Sequence, residues 1–180
     1  MSLFLKLFGT TAEYNTYTAD TANFIKPNVS CAMDDLTNVH YNPYVPPETR
    51  VIATYNVTST SSPTKIGYNQ YTSGFSAIEI DGVVQPSVVS AYTFSTTGEH
   101  TVKYTLTDPT SIGDGAFYNC SSLTSIVCNA TTAPTIDGST FRNVKTGGTL
   151  IVPQGSSGYD TWMQNANYYL GKYNWTKVEQ

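Results

Sequence analysis

Between Arg50 and Leu106 apolar and polar residues alternate with a period of two. Val51, Ala53 and Tyr55 interleave with Ile52, Thr54 and Asn56, the pattern of a strand that buries one face. Ile78 and Ile80 lead into Asp81-Gly82 and then Val83-Val84, a hairpin signal because Asp-Gly accepts the positive φ of a two-residue turn. Further turn signals fall at Ser61-Ser62-Pro63, Ser73-Gly74, Gln85-Pro86 and Thr97-Gly98. The last strand of this stretch is expected over residues 101–106, with Val102, Tyr104 and Leu106 on one face.

Short strands separated by such turns predict a small antiparallel β-sandwich of immunoglobulin-like type over residues 49–108, without the Cys…Trp…Cys core of antibody domains. Residues 1–48 are different in texture. Leu3, Phe4, Leu5, Leu7 and Phe8 open them, residues 12–17 suggest a short helix, and residues 27–30 and 38–43 read as brief extended pieces. Pro43, Pro46 and Pro47 stiffen the exit and place a boundary near Pro47.

A longer period begins at Thr110. Sliding the chain by 24 positions lays Ile112 on Ile136, Phe117 on Phe141, Cys120 on Val144, Ile126 on Leu150 and Val127 on Ile151. Aliphatics recurring every ~20–29 residues belong to leucine-rich-repeat solenoids, whose coils bury their apolar positions against one another. The expected repeat core is Ile112, Phe117, Cys120, Leu123, Ile126, Ile136, Phe141, Val144 and Leu150. The string Ile112-Gly113, Ala116-Phe117, Cys120, Leu123, Ile126 resembles BspA-type leucine-rich repeats. In the second copy Thr140 stands where the first has Ala116, and no Leu matches Leu123. Subtracting the period from Ile126 and Cys128 lands on Val102 and Tyr104. Fewer than about three repeats cannot bury a core, so residues 101–106 are expected to pair with residues near 126.

Tyr159, Trp162, Met163, Ala166, Tyr169 and Leu170 fall at helical spacing between Gly158 and Gly171. They predict one α-helix capping the last coil, with Tyr159, Trp162 and Tyr169 as its main packing residues; an aromatic binding surface is the alternative. Trp175 and Val178 would return as a closing strand. The whole is a mainly β chain: an N-terminal anchor segment (1–48), the sandwich (49–108) and a short capped solenoid (109–180).

Composition narrows the function. Nine Lys and Arg against 13 Asp and Glu, and a net charge of −4, leave no basic surface for a phosphate backbone, so nucleic acid is not an expected partner. No apolar run reaches the ~18 residues of a membrane helix, and no membrane partner is expected. The 14 tyrosines and 28 threonines give a surface rich in uncharged hydrogen-bonding groups. Three cysteines, Cys31, Cys120 and Cys128, match neither a disulfide framework nor a zinc pattern. The N-terminal apolar run, broken by Lys6, is too short for a signal-peptide core.

Chemistry is sparse. His40 and His100 lack neighbouring ligands at metal spacing. Gly113-Asp114-Gly115 and Asp137-Gly138 offer hard oxygen ligands, but the repeat accounts for their glycines as coil corners. Asp34 and Asp35 are adjacent on an extended piece and point to opposite faces, which disfavours paired-carboxylate catalysis. No nucleophile elbow, phosphate loop or His-Glu-x-x-His motif occurs. No catalytic residue, cofactor or metal is expected.

The words Thr11–Tyr17, Pro27-Asn28-Val29-Ser30-Cys31 and Asn38-Val39-His40-Tyr41-Asn42-Pro43 resemble the opening segment of virion proteins from phages of gut Bacteroidales, including the crAss-like group. Leu150-Ile151-Val152-Pro153, Tyr159 and Trp162 resemble the tail that closes the BspA-type repeats of such proteins. The resemblance implies a structural or fibre-type virion component, a head-fibre or capsid-decoration protein, assembled in the host cytoplasm and exposed on the particle surface. Capsid or other virion proteins would be its partners, as a homo-oligomer, dimer or trimer. The anchor candidates are Leu3, Phe4, Leu5, Leu7, Phe8, Tyr14, Tyr17, Phe24 and Ile25. Adhesion to host-surface or mucin glycans is a second, compatible role. A secreted bacterial BspA-like adhesin and a tail-associated virion protein are the alternatives.

Overall fold

A computed structural model describes residues 50–68 and 74–180 in full, and the backbone alone of 7–8, 29–34 and 38–43. The chain divides into two compact units, Met1–Pro47 and Glu48–Gln180. In the first, β1 (Leu7–Phe8) runs parallel to β2 (Val29–Asp34), which pairs antiparallel with β3 (Asn38–Pro43). Of the anchor candidates, Leu7 and Phe8 form β1; Leu3, Phe4, Leu5, Tyr14, Tyr17, Phe24 and Ile25 lie outside the described residues, as does the short helix expected over 12–17.

The second unit is built on one seven-stranded sheet. Its strands are β4 (Arg50–Val57), β6 (Phe75–Ile80), β7 (Val83–Val84), β9 (Gly98–Leu106), β10 (Leu123–Cys128), β11 (Thr149–Val152) and β12 (Thr176–Glu179), in the spatial order β12-β11-β10-β4-β9-β6-β7. A two-stranded ribbon, β5 (Thr64–Lys65) with β8 (Ala91–Tyr92), lies outside that sheet. Four strands expected in an immunoglobulin-like sandwich therefore share a single sheet, and that sheet continues into the repeat strands. The sandwich is corrected to half of a larger sheet whose inner face is covered by loops and coil turns.

Alternation decides which side chains face inward. Val51, Ala53, Tyr55 and Val57 of β4 are buried, as are Val102, Tyr104 and Leu106 of β9 and Leu123, Ile126 and Cys128 of β10. The β6–β7 hairpin turns on Asp81 (φ 48°) and Gly82 (φ 83°), both in the left-handed region that Asp tolerates and Gly adopts freely.

The coils stack with a parallel register of 24 residues: Ile126 lies beside Leu150 and Val127 beside Ile151. Backbone bonds join successive turns away from the sheet, including Ile112 N–H to the Thr135 carbonyl (3.1 Å), Phe117 N–H to Thr140 (2.9 Å) and Asn119 N–H to Arg142 (2.8 Å). Each coil also carries an asparagine in the left-handed region at the same place: Asn119 (φ 62°), Asn143 (φ 60°) and Asn167 (φ 48°). The first two are laddered, Asn143 Nδ2 donating to Asn119 Oδ1 at 2.9 Å.

Two expectations fail at the joints. Residues 101–106 do not pair with residues near 126; β4 lies between them, antiparallel to both β10 and β9. The subtraction nonetheless finds the right row, because Ile126 faces Ala53, which faces Val102, and Cys128 faces Val51, which faces Tyr104. The capping α-helix is also absent. Residues 158–168 are turns and bends, followed by a 3-10 helix over Leu170–Tyr173. Asp160, Thr161, Asn165 and Asn167 are poor helix formers whose side chains compete for the backbone, and Asn167 leaves the right-handed region altogether. Gly171 is not a helix stop: a Cβ there would collide with the Met163 backbone. Val178 lies in β12, the closing strand parallel to β11, and Trp175 immediately precedes it.

Candidate functional site

The predicted repeat core forms the interior. Ile112, Phe117, Cys120, Leu123, Ile126, Phe141, Val144 and Leu150 are buried, and Ile136 packs half-buried against them. Ring contacts run without a break from the β6–β9 side to the last coil. Phe75 lies 4.6 Å from Tyr104, Tyr104 5.4 Å from Phe117, Phe117 stacks on Phe141 at 5.8 Å and 10°, and Phe141 meets Trp162 at 5.4 Å.

The cap residues close this row without a helix. Tyr159 and Trp162 are almost wholly buried, and each spends its polar end on the preceding coil: Tyr159 Oη donates to the Ala130 carbonyl at 2.8 Å, Trp162 Nε1 to Pro134 at 3.0 Å. Trp175 Nε1 donates to Lys145 at 2.7 Å. Tyr169 is half-buried. These aromatics serve the fold.

Among the described residues the buried side-chain atoms without a hydrogen-bond partner are Asp137 Oδ2, Arg142 Nε and Ser156 Oγ. Tyr104 Oη donates to the Ile66 carbonyl, and Tyr55 Oη lies 2.8 Å from Tyr104 Oη and 3.2 Å from the same carbonyl. Burial pushes both phenols well above their ordinary range. Burial likewise pushes the Cys120 thiol up to about 12 and raises Cys128, so neither is a ready nucleophile. The side chain of Cys31 lies outside the described residues.

His100 is accounted for: Nδ1 meets Asp81 Oδ2 at 2.7 Å and the ring packs on Phe94 at 4.3 Å. Of His40, Asp34 and Asp35, the first two are described as backbone only and the third lies outside the described residues. At one coil corner Ser139 Oγ bridges Asp114 and Asp137, with Asp137 Oδ1 at 2.9 Å. Desolvation first, then the Asp114 carboxyl, raise the Asp137 pKa. Among the described residues no group of three or more His, Cys, Asp and Glu side chains could hold a metal.

Two surfaces remain. The outer face of the sheet carries an aliphatic row, Val178, Ile151, Val127 and Ile52, one residue from each of four adjacent strands, continued by Lys103 and Glu79, which form an ion pair at 2.7 Å. Beside it runs a hydroxyl row, Thr176, Thr149, Ser125, Thr54 and Thr101.

The second surface is a column of rings and cations along the coil edge. Tyr68 packs on Tyr118 at 4.8 Å; the Arg142 guanidinium lies 5.5 Å from the Tyr118 ring centre and 4.7 Å from that of Tyr168; Lys172 Nζ lies 4.4 Å from the Tyr168 ring. All are partly exposed except Lys172, which is exposed. The sequence reading missed this column, although its signal was present: Tyr118 and Arg142 each precede one of the recurring asparagines, and Tyr168 follows the third.

Against known proteins, no family model, no curated protein and no solved structure matches this chain.

Proposed function

We propose that the chain is a structural component of a tailed-phage virion, a head-fibre or capsid-decoration protein that anchors through residues 1–48 and projects residues 49–180 outward to contact host or mucus glycans. The observation that carries this reading is the single sheet of the second unit, which runs without interruption from β7 to β12. A display element must hold its outer surface rigid relative to its own root, and a continuous hydrogen-bonded ladder does so where a linker between two modules would not.

The exposed chemistry supports the same reading. The open face is rich in threonine hydroxyls and aliphatic side chains, and the coil edge presents tyrosines, groups that hydrogen-bond to and stack on sugars. The N-terminal words that resemble virion proteins lie in the first unit.

Mass spectrometry of purified particles, with and without deletion of residues 2–25, tests the proposal. The full chain is expected in the particles and the truncated chain is expected to be lost from them. Recovery of the full chain only from the host envelope or medium overturns the virion reading; unchanged incorporation of the truncated chain overturns the anchor.

A further inference from the structure

The Arg142 side chain lies against rings and, among the described residues, makes no hydrogen bond. Its guanidinium carbon lies 5.5 Å from the Tyr118 ring centre and 4.7 Å from that of Tyr168, and Lys172 Nζ lies 4.4 Å from the Tyr168 ring centre. Cation–π contacts satisfy the charge of a guanidinium through its faces, not the in-plane demands of its five N–H groups. Among the described residues no acceptor is bonded to the Arg142 side chain, and its Nε is buried without a partner. The protein pairs other cations: Lys103 with Glu79 and Lys177 with Asp160. In a chain with more carboxylates than cations, an arginine and a lysine placed together on one ring without a carboxylate are unusual enough to need a reason.

Among the described residues the terminal edge of the guanidinium, its two Nη groups, is bonded to no acceptor. That edge is a planar fork of donors matched to a carboxylate or sulfate, which it can bind through two parallel hydrogen bonds. Lys172 supplies a second cation, its ammonium over the Tyr168 ring. Tyr118 and Tyr168, both partly exposed beside the fork, are aromatic rings of the kind against which a pyranose packs.

We propose that Tyr118, Arg142, Tyr168 and Lys172 form a binding site for an acidic saccharide. Arg142 takes the carboxylate or sulfate ester in its plane, Lys172 adds charge, and the sugar ring lies against the tyrosines. The inference rests on the adhesion half of the proposed function and is independent of the particle half.

Calorimetry of the full chain with three probes tests it: chondroitin sulfate oligosaccharide, the same oligosaccharide chemically desulfated, and a neutral chitin oligosaccharide. Binding is expected for at least one acidic probe and not for the neutral one, with the desulfated arm deciding between sulfate and carboxylate as the anchoring group. Arg142→Gln is expected to weaken acidic binding about tenfold or more, the loss of a bidentate charge-assisted pair. Lys172→Gln, at an exposed position, is expected to weaken it by a smaller factor and to flatten its salt dependence. Thermal melting of both variants separates lost binding from lost folding. Equal affinity of both variants and the parent for the acidic probes overturns the site. Binding of the neutral probe alone overturns the site and leaves adhesion standing; binding of no probe overturns the site and counts against adhesion as well.

Discussion

Ile126 lies directly opposite Ala53 across an antiparallel ladder, with Leu150 on its other side in a parallel one. This is where the alternating strands and the coils become one sheet. Ile126 is fully buried, and truncating it opens a cavity at the seam. Ile126→Ala is expected to destabilise the protein by about 2–5 kcal/mol. Because the seam is shared, the loss should lower a single transition for residues 48–180 rather than split it. Denaturation followed in parallel by circular dichroism and tryptophan fluorescence checks this: Trp162 and Trp175 report the coil end, and non-coincident curves would show that the two halves unfold separately.

Tyr55 and Tyr104 share one acceptor, the Ile66 carbonyl. Either hydroxyl can serve it if the other is removed. Tyr55→Phe and Tyr104→Phe are each expected to cost about 0.5–1.5 kcal/mol. The double variant orphans the carbonyl, and its cost should exceed the sum by about 1 kcal/mol. Both phenols hold their protons more tightly folded than unfolded, so their contribution is present below the ordinary tyrosine pKa and is lost at higher pH. A spectrophotometric titration should show Tyr55 and Tyr104, together with Tyr159, whose phenol burial also raises, ionising only as the chain unfolds.

Cys120 and Cys128 face the core. In a Cys31→Ser variant, an aromatic disulfide reagent at mildly alkaline pH should leave both thiols unmodified in the native protein and modify both in guanidinium. Rapid native labelling of either would contradict their burial and the raised thiol pKa values.

Asp137 holds its proton more tightly in the folded chain than in the unfolded one. The stability it contributes is therefore present below the usual carboxylate range and lost as pH rises through the folded value. Asp137→Asn keeps the oxygen that accepts from Ser139 and removes a charge facing Asp114. Its melting temperature is expected to exceed the parent's at neutral pH, with the difference shrinking toward about pH 4. A lower melting temperature at neutral pH would show that the Asp137 charge is stabilising.

The repeat is legible in the chain because stacking coils demand apolar side chains at one interval, and Phe117 with Phe141 satisfy it as a stacked pair. The cap is not. The spacing from Tyr159 to Leu170 fits a helix, yet aromatic rings at those intervals also suit a turn folded against Phe141, and Asn165 and Asn167 tip the backbone to the turn. The Arg142 column escaped notice for a related reason. Its members come from separate coils and a separate loop, and only the stacking of the coils brings them within reach.

The sequence by itself determined which side chains face inward: Val51, Ala53, Tyr55, Val102, Tyr104 and Ile126 are assigned to the core by period and alternation alone. Tertiary structure decided which strand lies beside which. The backbone groups along a strand edge are the same N–H and C=O whatever the side chains, so alternation says which face is buried and not which neighbour completes the ladder. Residues 101–106 and β4 present equally suitable edges to β10, and only the packed chain, with Ala53 set between Val102 and Ile126, distinguishes them.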